Sequence, residues 1–235
     1  MIRKIILVVL VFNATACAEL QGVINQLPQG GVLTNAEIGS GLRQALDLGI
    51  DKQVTKLTQE DGFFKNELVK ILLPDELQKV DKTLRSIGLS KLADEGLKVL
   101  NRAAEDAVKE ATPIFIDAVK GITFADAKNI LLGNDDAATQ FLTSKTQTAL
   151  YSKFNPVIKN SFSKVGADAI WTNLINKYNT LPLTNNVNPD LTDYVTKEAL
   201  KGVYTMIAVE EKEIRNTLSS RTTDLLQRVF ALQDR

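Results

Sequence analysis

The chain has 235 residues, which is enough for one large domain or two small ones. Its 28 lysines and arginines balance 28 aspartates and glutamates, so no basic excess exists to pair with nucleic-acid phosphates. It contains no histidine, which excludes Ser-His and Cys-His nucleophile pairs and leaves zinc or copper almost without ligands. We therefore expect no cofactor, no metal site and no nucleic-acid partner.

The first residues have the order of a secretory signal. The basic pair Arg3 and Lys4 is followed by an apolar run over 5–12 and by small residues up to Cys17, the only cysteine. The run is too short to cross a membrane, which takes about 20 apolar residues. Two processing modes are open: cleavage after Ala16 to give a soluble protein, or lipidation of Cys17. We favour lipidation, because an odd cysteine in an exported chain has no disulfide partner.

This interpretation sets the predicted organisation of the chain. We expect a signal peptide over 1–16, a lipidated N-terminus and tether over 17–33, and a single helical domain over 34–235. Lipid chains on Cys17 would hold the domain at a membrane surface without spanning the bilayer. The expected location is the periplasmic side of an outer membrane, with a soluble periplasmic protein as the alternative.

Helical patterns fill the chain after the tether. Thr34 and Glu37 form a capping box ahead of an amphipathic helix of roughly 25 residues. A short apolar run over 69–73, stopped by Pro74, is a candidate extended stretch. Further helices are predicted over 76–87, from 90 to 108, over 114–119, from the Thr123 cap to Gly133, over 135–155, 157–165 and 167–178, from about 190 to 218, and from 222 or 223 to 232. The predicted fold is one all-α, bundle-like domain of about 8–10 helices with at most one very short β pair.

Two interruptions and a connector are part of this prediction. We expect Pro113 to kink or end the third helix, and Asn155-Pro156 to interrupt the helix that contains it, because proline removes a backbone donor. A polar connector over 181–188 leads to a cap at Asn188-Pro189.

The long helix near the end of the chain places a carboxylate in an apolar stripe. The stripe runs, at helical steps, through Leu200, Tyr204, Ile207, Glu211, Ile214 and Leu218. A buried carboxylate is costly unless it is paired or protonated. Arg215 lies one turn further along, and Arg102, Arg221 or Arg228 could reach Glu211 from elsewhere. Glu211 is thus either a functional acid or ligand contact, or half of a structural bridge that fixes helix packing, and we favour the bridge.

A second polar group lies in the third predicted helix. Asn101 falls on the apolar face of that helix, close to Arg102 and Glu105, and we expect it to meet the Glu211 group. The candidate residues for this polar network or ligand contact are Asn101, Arg102, Glu105, Glu210, Glu211, Arg215 and Arg221. Buried polar networks between helices commonly specify packing, so we favour a structural role.

Three further features favour ordinary structural explanations. The oxygen-rich turn over 134–136 lacks the spacing of a calcium loop and is typical of helix capping. The helix after it is rich in serine and threonine, which either line a polar groove or are simply solvated. Phe63, Phe64 and Trp171 are expected to anchor the core, because aromatic side chains bury large areas.

Several short stretches in chain order carry a family resemblance. They are Gly41-Leu-Arg-Gln-Ala-Leu46, Asp61-Gly-Phe-Phe64, Ile71-Leu-Leu-Pro74, Asn101-Arg-Ala-Ala-Glu105, Pro113-Ile-Phe-Ile-Asp117, Asp126-Ala-Lys-Asn-Ile-Leu131, Tyr194-Val195, Glu210-Glu211, Ile214-Arg215 and Arg221-Thr-Thr-Asp-Leu-Leu226. Together they resemble a family of bacterial envelope proteins catalogued only as a domain of unknown function (number 4197). The resemblance implies one helical domain in an exported, often lipid-anchored protein, and it implies no activity, cofactor or catalytic residue.

These observations predict a non-enzymatic binding or scaffolding lipoprotein of the cell envelope. Its partner would be a hydrophobic small molecule held between helices, or another envelope protein. The alternative is a hydrolase or lyase that uses carboxylates, centred on Glu211 and Glu105 with Arg102, Arg215 and Arg221. The alternative requires these groups to line an open cleft.

Overall fold

A computed structural model describes residues 33–86, 88, 90–164, 166, 171–172, 175–176, 179 and 190–234. The predicted signal peptide, Cys17, most of the tether, the connector over 181–188 and the cap at Asn188-Pro189 lie outside the described residues. The chain divides into two units, Met1–Asn35 and Ala36–Arg235, and the second contains nearly all of the described residues.

The fold is an all-α single domain, as predicted. Over the described part of the chain there are eight α-helices, one 3-10 turn and no strand. The α-helices are α1 (Asn35–Thr58), α2 (Asp75–Ser86), α3 (Ser90–Val108), α4 (Ala111–Lys120), α5 (Phe124–Leu131), α6 (Ala137–Lys164), α7 (Thr192–Asn216) and α8 (Asp224–Phe230). The 3-10 turn, Leu218–Ser220, joins α7 to α8. None of these helices is long and apolar enough to cross a membrane.

Local sequence signals account for three of the helix ends. The predicted cap at Thr123 forms a complete capping box with Asp126 at the start of α5. Thr223 accepts the Leu226 amide at the start of α8. Gly88 follows α2 with φ of +84°, a left-handed conformation that a side chain would disfavour.

The core forms where α6 meets its neighbours. α6 packs against α3, α4, α5 and α7, and α3 also packs against α7. Its buried side chains recur at helical spacing along its whole length, through Leu142, Leu150, Phe154, Ile158 and Phe162. Phe63 and Trp171 are both buried, as expected of core anchors.

The prediction that Asn155-Pro156 interrupts a helix is wrong. α6 continues through Pro156 to Lys164. Because Pro156 has no N–H group, the carbonyl of Ser152 one turn back has no helical donor. Both residues are exposed, so water can hydrate that carbonyl. Buried Phe154 and Ile158 on either side of the proline hold both halves of the helix against the core.

Other predictions need smaller adjustments. α3 ends at Val108, well before Pro113, which lies in the first turn of α4, where a missing N–H costs no helical bond. α7 ends at Asn216, so Leu218 is not part of the apolar stripe and is 70% exposed. The run over 69–73 forms no β pair with any described residue and is an irregular segment that leads into α2.

Candidate functional site

The seven candidate polar residues do not form one network. They are divided among separate clusters, which lie at different helix ends and turns. Asn101 does not meet the Glu211 group, contrary to the expectation above, and Arg102 does not reach Glu211. Each cluster is described here with the elements that position it.

Glu211 and Arg215 join the ends of two other helices. Glu211 accepts the backbone N–H groups of Ala138 and Thr139, each at 2.8 Å, and also the Thr139 hydroxyl. These are first-turn donors of α6, which have no partner within their own helix. The guanidinium of Arg215 binds Glu211 at 2.8 Å and donates to the carbonyl of Ile130 at the end of α5. The pair therefore caps α5 and α6 together, with charges that complement both helix dipoles.

Arg221 performs the same task at the end of α7. Its guanidinium donates to the carbonyls of Ile214 and Arg215, at 3.0 and 2.7 Å. Its remaining donors hold both carboxylate oxygens of Asp234. These hydrogen bonds hold the pKa of Asp234 below its usual range. Glu210 faces away from this group, towards α1, where it binds Lys52 at 2.7 Å and Gln53 at 2.6 Å.

Asn101 supports the irregular segment before α2. Its amide oxygen accepts the Ile71 N–H at 2.8 Å, and its amide nitrogen donates to the Ile71 carbonyl at 2.9 Å. The same nitrogen also reaches the Leu97 carbonyl one turn back in α3. Asn101 thus satisfies both backbone groups of a buried residue, as a neighbouring strand would.

Arg102 and Glu105 brace the turn that follows α1. Arg102 bridges Glu105 and Asp61, each at 2.7 Å, and Glu105 also accepts the Phe63 N–H at 3.1 Å. Asp61 has φ of +66°, and its pKa is lowered by the hydrogen bond from Lys65 and by nearby positive charges. Within this turn the chain passes too close to the last carbonyls of α1 for any side chain at Gly62.

The Glu211 cluster satisfies its charges and leaves little room for chemistry, whereas Arg102 lies at the wall of an open pocket of about 430 Å³ that Glu105 does not line. The cavity beside Glu210, Glu211 and Arg215 has a volume of about 20 Å³, which suits one water molecule. No three described acidic or cysteine side chains are grouped so that they could hold a metal ion.

The hydroxyl-rich helix does not line a polar groove with its threonines. Thr143 and Thr146 donate to carbonyls one turn back in α6, and Ser152 does the same. Thr146 also meets the hydroxyl of Tyr204 at 2.8 Å, and burial raises the pKa of that tyrosine.

An open groove lies on the outside of the bundle, at a site that the sequence did not predict. It has a volume of about 630 Å³ and runs between the segment over 68–74 and one face of α7. Leu68 and Leu72 line it and are 64% and 56% exposed. Its size falls in the range of clefts that bind ligands, about 300–1,000 Å³.

Close packing beneath the groove fixes its walls. At Gly202 of α7, an added Cβ would lie 2.6 Å from the Phe63 ring and 3.3 Å from the Val69 Cβ. The glycine therefore lets α7 approach the segment closely. Tyr194 donates to the Leu72 carbonyl at 2.8 Å, and together with Asn101 it holds the exposed leucine on a fixed backbone.

The sequence contains a partial signal for this groove. The mostly apolar run over 69–73, stopped by Pro74, is a candidate extended stretch, and such a run suggests burial on all sides. Ile71 and Leu73 are buried whereas Leu72 is exposed, which is the alternation of a segment with one buried face. The sequence pattern of α7 gives no separate signal for Tyr194, Glu198 and Lys201, which line the helical wall of the groove.

Comparison with known proteins gives one match. A family model described as a protein of unknown function (DUF4197) matches residues 32–231, which confirms the resemblance found in the sequence. No curated protein and no solved structure matches the chain. The matched range contains all seven candidate polar residues and both groove leucines.

Proposed function

This chain belongs to the DUF4197 family of proteins of unknown function, and we propose that it is a non-enzymatic, lipid-anchored envelope protein that binds another envelope protein. The binding surface is the groove between 68–74 and α7. Its occupant is an uncharged segment of the partner that places apolar side chains against Leu68 and Leu72 and polar groups against the rest of the lining.

The observation that carries this proposal is the contrast between two spaces. The space between α1 and α7 has about 20 Å³, whereas the outer groove has about 630 Å³ and two exposed leucines. A hydrophobic molecule held between these helices would need far more room than the first space gives. Adjacent exposed apolar side chains on a fixed wall are typical of protein interaction sites.

The charges of the groove suggest the chemistry of its occupant. Lys70 and Lys201 are balanced by Asp75 and Glu198, so the lining has no net charge to attract an ionic ligand. Lys201 is itself paired with Glu198 at 3.5 Å. An uncharged segment that covers the leucines fits this lining better than an acidic or basic one.

The backbone of the groove wall offers one hydrogen-bond donor to an incoming segment. Among the described residues, nothing accepts the N–H of Leu72, whereas the Leu72 carbonyl is bound by Tyr194 and both backbone groups of Ile71 are bound by Asn101. A carbonyl of the partner segment can therefore accept the Leu72 N–H while its apolar side chains cover the leucines.

The hydrolase or lyase alternative has less support. Both carboxylate oxygens of Glu105, and both of Glu211, already accept hydrogen bonds from donors of this chain. A general acid or base must reach a proton of its substrate, and here the chain's own groups occupy the required positions. We therefore propose structural roles for these carboxylates.

Site-specific crosslinking in cells tests the groove. A photoreactive benzophenone side chain at Leu72 should capture one defined partner segment, mapped by mass spectrometry. The matched control carries the same group at Leu218, which is similarly exposed and lies beyond the end of α7. Leu68→Ser, and an excess of the mapped segment as a synthetic peptide, should each reduce capture at least ten-fold. Equal capture at both positions, or capture that neither change reduces, would reject the groove as the binding surface.

Mass spectrometry of the membrane-extracted protein tests the anchor separately. The N-terminal peptide should begin at Cys17 with a diacyl or triacyl mass, and Cys17→Ser should abolish that mass. An unmodified Cys17, or a chain that retains residues 1–16, would contradict the lipid anchor and leave the groove proposal to be judged on the crosslinks.

A further inference from the structure

Arg221 is unusual among the charged side chains because it is buried while the carboxylate that pairs with it lies at the surface. Its side chain is 2% exposed, and among the described residues its single carboxylate partner is Asp234. Asp234 lies beyond α8 and is 41% exposed. One solvent-exposed carboxylate therefore separates the buried guanidinium from the surface.

The geometry around Arg221 is that of a carboxylate receptor. Nη1 and Nη2 bind the two oxygens of Asp234 in a bidentate pair, the arrangement in which arginine recognises planar anions. Nε and Nη2 are held by the carbonyls of Ile214 and Arg215, so the orientation of the guanidinium does not depend on Asp234. The Phe230 ring lies 5.8 Å from the guanidinium carbon and forms part of the surroundings.

A second contact holds Asp234 in place without using its carboxylate. The neighbouring Gln233 accepts from Arg215 at 2.8 Å and donates to the Arg215 carbonyl at 2.9 Å. The backbone of 231–233 continues the last turn of α8, with N–H groups bonded to Gln227, Val229 and Phe230, so beyond that turn Asp234 is held through side chains. If Asp234 leaves, the outward-facing donors of Arg221 are exposed while the rest of its bonds remain.

We propose that Arg221 and the end of α7 form a carboxylate-binding site that Asp234 occupies in cis and that a carboxylate from another molecule can occupy in its place. The driving force is the cost of leaving a buried cation unpaired, which an anion in the same position removes. This site is separate from the groove over 68–74 and does not depend on the function proposed for that groove.

Rescue by a small carboxylate tests the site. Asp234→Ala should lower the denaturation midpoint of the full chain, and sodium acetate should restore it more than sodium chloride of equal ionic strength. The rescue should saturate, and the unfolding equilibrium constant of the variant should fall about ten-fold at about ten times the acetate Kd. The wild-type chain should respond less, because Asp234 already fills the site.

A matched control and a second probe sharpen the test. Glu37→Ala removes the partner of Arg228 in an exposed pair, and acetate should not rescue that variant beyond chloride. In Asp234→Asn, the Nε–H resonance of Arg221 should shift saturably with acetate, which gives a readout that does not depend on stability.

A synthetic peptide with the sequence of residues 229–235 distinguishes acidic peptides from small carboxylates as the ligand of this site. Rescue by the peptide at concentrations where acetate has no effect would assign the site to acidic peptides, and equal rescue would assign it to small carboxylates. Identical effects of acetate and chloride on Asp234→Ala, together with no saturable shift at Arg221, would overturn the proposal.

Discussion

Two regions of this protein differ in which side chains they bury. At the junction of α5, α6 and α7, the charged side chains of Glu211 and Arg215 are buried, and each forms hydrogen bonds with several partners. Along 68–74 the apolar side chains of Leu68 and Leu72 remain exposed, on a backbone that Asn101 and Tyr194 hold in place.

The difference separates residues that build the fold from residues free to bind. A buried ion pair with saturated hydrogen bonds contributes to packing, and it is costly when one partner is removed. An exposed leucine contributes little to the free energy of folding, but burying its apolar surface against a partner contributes to the free energy of binding. We therefore expect stability to depend on the junction and binding to depend on the groove.

The largest expected effect comes from breaking the junction. Glu211→Gln replaces one acceptor with a donor that faces either the Ala138 or the Thr139 amide, and it leaves Arg215 buried without its carboxylate. Urea unfolding should show a loss of about 3 kcal/mol. Glu213→Gln, the same change at an exposed position two residues further along, should change stability by less than about 0.5 kcal/mol. Equal effects of the two substitutions would contradict the structural role of Glu211.

A smaller loss is expected at the residue that supports the backbone of the groove wall. Asn101→Ala leaves the buried N–H and carbonyl of Ile71 without partners, which should cost about 2 kcal/mol. Hydrogen exchange at the Ile71 amide should accelerate more than exchange elsewhere in the core. The control is Asn216→Ala, which removes an exposed amide bonded to its own helix. Unchanged exchange at Ile71 would show that Asn101 does not hold the groove wall.

A still smaller loss of stability is expected when low pH breaks the ion pair between Arg221 and Asp234. The pKa of Asp234 in the folded chain lies below its ordinary value of 3.8, so its contribution is present above about pH 4 and is lost as pH falls through the folded pKa. Wild type should exceed Asp234→Asn in stability by a constant amount between pH 5 and 7. That difference should shrink as the pH falls below 4. A difference that persists unchanged below pH 3 would exclude titration of Asp234 as its origin.

The smallest effect on stability is expected at the groove. The double variant Leu68→Ser with Leu72→Ser changes exposed side chains and should alter the free energy of unfolding by about 0.5 kcal/mol or less. The same variant should bind the mapped partner segment, supplied as a synthetic peptide, at least ten-fold more weakly than wild type. A large loss of stability would mean that the leucines belong to the core, which would remove the basis of the proposed function.

Sequence patterns predicted what depends on local chemistry. The Thr123 capping box needs only residues three apart, and the burial of Glu211 follows from helical periodicity alone. The partners of Glu211 could not be predicted, because backbone amides at the start of α6 carry no side-chain signature. Asn101 was misassigned for the same reason, since its partner is the backbone of Ile71.

Tertiary packing explains the remaining errors. Pro156 breaks an isolated helix, yet α6 continues because both halves pack on the core and the freed carbonyl faces water. The exposure of Leu72 depends on where α7 lies relative to 68–74, and that distance is set by the contact at Gly202. No window of sequence around either leucine contains this information.

Hydrogen exchange of the full chain, with and without the mapped partner segment as a synthetic peptide, is the decisive experiment for binding at the groove. We expect the peptide to slow exchange at the Leu72 amide at least ten-fold and to leave the Ala138 and Thr139 amides unchanged, because those are already bound by Glu211. An unprotected Leu72 amide, with protection at the junction instead, would place binding in the buried cluster and exclude the groove.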